Sequence, residues 1–330
     1  MSLVVDSVSK RFGTIQALDA ISFSVEPGQV FAFLGANGAG KTTTMRIILQ
    51  ILRADAGTVT WLGKPTDRLP RRTWGYLPEE RGLYPRMKVL DQLVFFANLY
   101  GVPRAEAARE AREWLERFRI ADAADRRAEE LSKGNQQKVQ FIAGILHDPE
   151  VLLMDEPFVG LDPVNVGLLK EAFLELRDRG RTLVLSTHQM EMVEELCESM
   201  VIIDHGRIVV GGPIREVKRR SGRRIVRLAV EGDGDIGVSH EGDHDGLGWL
   251  KGDGLHVLRE GEDYTELEVA PGVDPGSILQ QAVAHDIHLS RFEIADPSIE
   301  QIFIEHVGAP PPDEERKLGA RSARLGEPVA

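Results

Sequence analysis

The sequence predicts an α/β protein, a sheet covered by helices with a helical insertion, followed by a smaller α+β domain. Three observations carry this. From Leu3 to about Arg220 short apolar runs alternate with amphipathic stretches, the pattern of buried strands joined by helices. Strand signals vanish between Tyr84 and Arg127. A basic stretch, Lys218 to Arg224, then opens into Gly/Asp-rich sequence with scattered strands. The expected domains are 1–220, with the insertion at about 84–145, and 221–307. Residues 308–330 are expected to be a disordered tail, because Pro310, Pro311, Pro312 and mixed charges leave little apolar surface to offset ordering entropy.

In chain order, the buried strands are expected at Gln29–Leu34, Val151–Met154, Thr182–Ser186, Met200–Ile203 and Arg207–Val210. Each ends at a glycine, an acidic turn or a helix start. Inside the insertion, Val89–Tyr100 and Ala105–Phe118 read as helices separated by Gly101 and Pro103. A further helix is expected over Gln136–Leu146. In the second domain, Ile225–Val230 and Glu266–Val269 read as strands, and Ala295 to Phe303 begins a helix with Ile299, Ile302 and Phe303 at helical spacing.

Composition excludes some functions. The net charge of −12 repels DNA, RNA and anionic lipid, so no nucleic-acid partner is expected. No apolar run reaches the ~18–20 residues that span a bilayer, so work at a membrane requires another chain to do the spanning. The one cysteine, Cys197, lies in an acidic helical stretch and fits a reducing cytoplasm.

The run Val30–Leu34 leads into Gly35-Ala36-Asn37-Gly38-Ala39-Gly40-Lys41-Thr42, a full P-loop pattern in a strand-loop-helix setting. Glycines at 35, 38 and 40 let successive N–H groups turn inward, and the helix start adds its positive dipole end. Lys41 is expected on the β- and γ-phosphates of ATP, Thr42 on Mg²⁺ and Thr43 on a phosphate oxygen. Asn37 and Ala39 supply backbone to the same cradle.

The apolar strand at 151–154 ends in Asp155-Glu156 at the carboxyl edge of the sheet, where α/β folds hold ligands. Asp155 is the expected Mg²⁺ holder and Glu156 the general base for the attacking water. A second strand ends in Thr187-His188, and an imidazole there is placed to touch the γ-phosphate and position that water.

Leu131-Ser132-Lys133-Gly134-Asn135-Gln136-Gln137 resembles the signature motif of ABC transporter nucleotide-binding subunits, usually LSGGQ. Ser132 is a good helix N-cap, and the helix start aims N–H groups at an anion. The resemblance covers about Ser2 to Arg220 and implies a P-loop NTPase fold of ABC type. It also implies that Ser132, Gly134 and Asn135 meet the γ-phosphate held by another subunit, so that two chains sandwich two ATP molecules. Phe12 corresponds to the aromatic residue stacked on adenine, and Asp162 of Gly160-Leu161-Asp162 to the loop joining the two sites. In Gly75-Tyr76-Leu77-Pro78-Glu79 the family normally has glutamine where Glu79 stands, a side chain that contacts Mg²⁺. The signature also departs at Lys133 and Asn135.

The resemblance implies an ATP-hydrolysing motor, a homodimer or paired subunit, working with an integral membrane permease on the cytoplasmic face. The end of the second domain is similar to accessory domains of bacterial sodium-efflux and antibiotic-resistance exporters. A soluble ABC ATPase of translation or DNA repair is disfavoured by the single nucleotide domain and short insertion; an ATP-binding regulator without turnover is disfavoured by Glu156 and His188. Val89, Leu90, Leu93, Val94, Phe95, Phe96 and Leu99 form an apolar surface that serves either as insertion core or as a groove for a partner helix. His240, Glu241, Asp243, His244 and Asp245 read as a solvated loop rather than a metal site.

Overall fold

The computed structural model describes residues 2–80, 82–231, 249–250, 254–261, 263–270 and 272–308. The acidic and histidine-rich segment at 240–245 and residues 309–330 lie outside them. The chain divides into two compact units, Met1–Ile214 and Arg215–Ala330.

Among its described residues the first unit contains ten strands. They are β1 (Leu3–Phe12), β2 (Ile15–Val25), β3 (Val30–Leu34), β4 (Ala56–Trp61), β5 (Lys64–Pro65), β6 (Trp74–Leu77), β7 (Val151–Asp155), β8 (Thr182–Thr187), β9 (Ser199–Asp204) and β10 (Arg207–Pro213). Helices α1 (Lys41–Ile48), α2 (Val89–Leu99), α3 (Arg104–Arg117), α4 (Lys133–Ile145), α5 (Pro163–Asp178) and α6 (Met190–Leu196) connect them, and α7 (Ile214–Arg220) begins at the unit's end. The main sheet runs in the order β10-β9-β3-β8-β7-β6. Every neighbouring pair from β9 to β6 is parallel. Every residue of β3, β7 and β8 is buried, which is why these strands are continuous apolar runs rather than alternating ones.

A second sheet, β2-β1-β4-β5, is antiparallel and was not legible in the sequence. Irregular register in β1, with Ser7 at φ 53°, breaks the two-residue alternation that marks a half-buried strand. Its inner residues Leu3, Val5, Val8 and Val25 join Phe31 and Phe33 of β3 and Met45 and Ile48 of α1 in one core. Phe23 of β2 meets Phe33 edge-on with ring centres 4.9 Å apart, an arrangement that suits the ring quadrupoles.

The insertion is helical throughout α2, α3 and α4. Ala107, Ala111 and Leu115 recur every four residues on α3 and are fully buried. The apolar surface of α2 is buried in part and exposed in part. Val89, Leu93 and Val94 are buried, while Phe95, whose ring centre lies 6.1 Å from that of Tyr84, and Leu99 are exposed. Several boundaries differ from expectation by one to three residues, β10 running on to Pro213 among them. Helix α4 starts three residues early, at Lys133, because Ser132 caps it, and Cys197 lies just past α6 in extended backbone. Burial holds the Cys197 thiol well above its ordinary pKa, so it is not a poised nucleophile.

His147, 4% exposed, lies flat against Tyr100 with ring centres 3.9 Å apart, and its Nε2 meets the Trp74 carbonyl at 2.9 Å. Burial lowers its pKa from the ordinary 6.5, with the Trp74 bond opposing. Below about pH 6.5 the unfolded chain therefore binds more protons than the folded one, and stability rises with pH through that window. Wild-type protein is expected to lose stability on acidification from that pH downward. His147→Gln should narrow the difference between urea midpoints measured above and below it; an unchanged difference would clear His147 as the cause.

In the second unit β11 (Arg224–Val230), β12 (Leu255–Glu260), β13 (Thr265–Val269) and β14 (Leu289–Ala295) form an antiparallel sheet in the order β12-β13-β11-β14. Val226, Leu228, Leu267 and Val269 pack with Ile278 of α8 (Gly276–Ala284). Helix α9 (Ile299–Val307) begins in a reciprocal Ser298/Gln301 cap and buries Ile299, Ile302 and Phe303. No helix among the described residues is long and apolar enough to cross a membrane.

Candidate nucleotide site

Parallel pairing brings the carboxyl ends of four strands to one edge of the main sheet. Leu34 stands opposite Thr187, Asp155 opposite Ser186, and Leu77 opposite Met154. The loop leaving β3 requires glycine at two points for packing reasons. A Cβ on Gly35 would lie 2.4 Å from the Ile203 carbonyl oxygen, and one on Gly40 would lie 2.6 Å from Leu18 Cδ2 with φ at +116°. Gly38, at φ +82°, has open space where its Cβ would be, as a backbone that receives a ligand needs. Asn37 is exposed on the same turn, and Ala39 is buried behind it.

Lys41 is 6% exposed, and its Nζ donates to the Gly35 carbonyl at 2.6 Å and the Ala36 carbonyl at 3.3 Å. Its ammonium thus sits within the curl of the loop. Thr42 Oγ1 donates to Asp155 Oδ2 at 2.6 Å, and Ser186 Oγ donates to Asp155 Oδ1. Thr43 is half-buried beside Thr42. Burial, reinforced by the Asp155 carboxylate, raises the pKa of the Tyr76 phenol and keeps it protonated.

Glu156 follows Asp155 in a left-handed conformation, φ 50°, with its N–H donating to the Ser186 carbonyl at 3.0 Å. A non-glycine residue held there is strained and persists only where surroundings enforce it. Its carboxylate is 7% exposed. Oε1 meets His188 Nδ1 at 2.9 Å, and Oε2 is buried with no hydrogen-bond partner. The residues expected at the γ-phosphate, Lys41, Glu156 and His188, and those expected at Mg²⁺, Thr42 and Asp155, therefore share one sheet edge.

The remaining candidates are held by other elements of this unit. Ser132 Oγ accepts from Asn135 N at 3.3 Å, capping α4. A Cβ on Gly134 would touch Leu161 Cδ2 at 3.5 Å and Asn165 Nδ2 at 3.7 Å, so the signature segment packs on the start of α5. Asp162 caps that helix by accepting from Asn165 N at 3.0 Å, and this bond is the chief cause of its lowered pKa. Phe12 is 47% exposed at the end of β1, with Lys10 Nζ 5.5 Å from its ring centre. The following strand, β2, carries Ala17 and Leu18 against Gly40. Glu79 is exposed two residues beyond β6, where the chain emerges beside β7.

Three polar residues at this edge escaped the sequence reading. Ser186 looked like the last residue of a strand, yet it fixes Asp155. Gln137 donates through Nε2 to the Pro157 carbonyl at 3.2 Å, and Gln140 reaches the carbonyls of Pro78 and Glu80. For the two glutamines, a polar residue among the buried positions of α4 is the signal.

Comparison with known proteins places this geometry. Residues 18–159 match the family model described as ABC transporter, and residues 212–307 match the ATP-binding protein DrrA1-3-like, C-terminal domain. The chain is similar to the uncharacterized ABC transporter ATP-binding protein YhaQ of Bacillus subtilis (strain 168). The two are 46% identical over 308 residues, 93% of this chain and 99% of that one. It is 31% identical over 320 residues to the linearmycin resistance ATP-binding protein LnrL of the same organism, covering 93% and 98%. It is 37% identical over 227 residues to the Nod factor export ATP-binding protein I of Paraburkholderia xenovorans (strain LB400), covering 68% and 75%. A solved ATP-binding subunit of an ABC transporter superposes with TM-score 0.63 at 32% identity, over 67% of this chain and 94% of that one. A nucleotide-free ATP-binding cassette gives 0.59 at 26% identity, over 66% and 95%. Since relatives are matched over nearly their whole length, this chain belongs to the ATP-binding proteins of ABC transporters, and as such it binds ATP and is an ATPase.

Proposed function

We propose that the chain is the motor of an exporter, working with Mg²⁺ as one half of a nucleotide-clamping dimer and docked on the cytoplasmic face of a separate membrane permease. The observation that carries this reading is that two phosphate-seeking elements are built on different elements of one unit, the loop before α1 and the capped start of α4. The 35–43 loop lies at the carboxyl edge of the main sheet, while Ser132 caps α4 and Gly134 packs on Leu161 and Asn165 at the start of α5. A second subunit supplies the missing half of each site. LnrL and the Nod factor protein are named for resistance and export, which supports the outward direction.

The donor set fits the metal. A threonine hydroxyl and a carboxylate within 2.6 Å are hard oxygen groups, and Mg²⁺ typically takes only one or two protein oxygens alongside phosphates and water. Thr42 and Asp155 would hold it, with Glu79 at the neighbouring strand end, and its chemistry is to neutralise charge on the phosphate oxygens. Lys41 binds the β- and γ-phosphates and Thr43 another phosphate oxygen; Asn37, Gly38 and Ala39 contribute N–H groups, and Phe12 stacks on the adenine. Glu156 takes a proton from water as the water oxygen bonds to the γ-phosphorus. The bond from that phosphorus to the bridging oxygen breaks, and ADP departs with the electron pair. His188, held on Glu156 Oε1, orients that carboxylate and the water. In the dimer, Ser132, Gly134 and Asn135 bind the γ-phosphate of the opposite site, and Asp162 lies at the crossing.

The ring cluster of exposed Tyr84 and Phe95 with half-buried Phe96 is the proposed permease face. Tyr84 and Phe96 stack with centres 5.8 Å apart, and Phe95 stays 40% exposed. Such a patch suits a partner's apolar helix. Phe95→Glu is expected to abolish co-purification with the natural permease while ATP affinity of the isolated chain is unchanged. Retention of the permease by Phe95→Glu would refute this docking face.

A further inference from the structure

Helix α4 sends polar side chains to four separate backbone segments. Gln136 Nε2 donates to the carbonyls of Ala128 and Leu131 at 2.9 and 3.2 Å, and Gln137 reaches Pro157. Lys138 Nζ donates to the Phe118 carbonyl at 2.9 Å, at the end of α3. Gln140 Nε2 donates to the Pro78 carbonyl at 2.9 Å and to the Glu80 carbonyl at 3.3 Å. Those two carbonyls stand on either side of Glu79.

Gln140 is 5% exposed, and its Oε1 is buried with no hydrogen-bond partner. The two carbonyl oxygens settle which end of the amide carries nitrogen, since the exchanged orientation would set oxygen against oxygen. A buried amide with an unmet oxygen is poorly suited to stability. An apolar side chain of similar shape would fill the space without that desolvation cost, and the carbonyls it would release belong to half-buried Pro78 and exposed Glu80. The amide does one thing an apolar residue cannot: it pins the backbone around Glu79 to α4. Because Leu77 pairs with Met154, the pinned segment leaves the sheet alongside Asp155 and Glu156.

We infer that Gln140 is a positioning residue for ATP hydrolysis, tying the helix capped by Ser132 to both sides of Glu79. Movement of that helix and placement of the Glu79 carboxylate then change together. The inference rests on the proposed place of Glu79 at the metal side of the site, and a double-mutant cycle separates the two ideas.

The experiment uses the full chain with Gln140→Leu, Glu79→Ala and the double variant, with Gln140→Met as an unbranched alternative. Steady-state ATPase rates are measured across ATP and Mg²⁺ concentrations, together with Tm. Gln140→Leu is expected to lower kcat on the order of 10- to 100-fold, the scale of a small misplacement of a reacting-site group. KM for ATP should stay near wild type, and Tm should be unchanged or higher. In the Glu79→Ala background, adding Gln140→Leu should change kcat by no more than about twofold. If both losses are large and multiply, Gln140 does not act through Glu79, and the inference falls while the reading of Glu79 stands. If Glu79→Ala alone leaves kcat unchanged, both fall. A collapse of Tm in both Gln140 variants would mean that the amide serves the fold, and would also overturn it.

Discussion

Glu156→Gln is expected to bind ATP as tightly as the wild type and to lose roughly 10²- to 10⁴-fold in turnover, the range supplied by a positioned general base. The substitution keeps the shape of the side chain. An amide oxygen can still meet His188 Nδ1, whose partner is Glu156 Oε1 at 2.9 Å, but an amide cannot take a proton from water. Removing the buried charge also relieves Oε2, which has no partner within the protein. The fold should therefore survive, and Tm should not fall. With hydrolysis blocked, the ATP-bound state accumulates, so light scattering with ATP and Mg²⁺ should report a dimer that the wild type holds only briefly. Turnover within tenfold of wild type would remove Glu156 as the base. A monomer at saturating ATP would count against the clamped dimer.

Lys41→Ala should cost ATP affinity outright. Hydrogen bonds to charged groups contribute about 1.5–3 kcal/mol each, and two phosphates are at stake, so Kd should rise by about 10²-fold or more. The folded state should tolerate the change. The Lys41 ammonium is bonded to the Gly35 and Ala36 carbonyls, and Ala36 is exposed enough for water to replace it. Titration calorimetry with ATP and Mg²⁺ measures the loss, and circular dichroism checks the fold. Unchanged affinity would mean that the loop is not the phosphate site.

The two variants fail differently. Lys41→Ala should neither bind nor dimerise, whereas Glu156→Gln should bind and remain paired.

What the sequence determined by itself was local. The 35–42 loop depends on glycine spacing and a following helix, the cap at Ser132 on one hydroxyl three residues from Asn135 N, and the buried strands on apolar runs too short for helices. All are interactions between near neighbours in the chain, so residue types and spacing express them directly. The antiparallel sheet of β1, β2, β4 and β5 was hidden because register breaks in β1 erase its alternation. The bonds from Thr42 and Ser186 to Asp155 span 113 and 31 residues, and that from Gln140 to Pro78 spans 62. Those contacts exist only because parallel pairing stacks the ends of β3, β8, β7 and β6 on one edge and lays α4 over the last of them. Strand order is a global choice made by packing both sheet faces at once, and no short stretch of sequence encodes it.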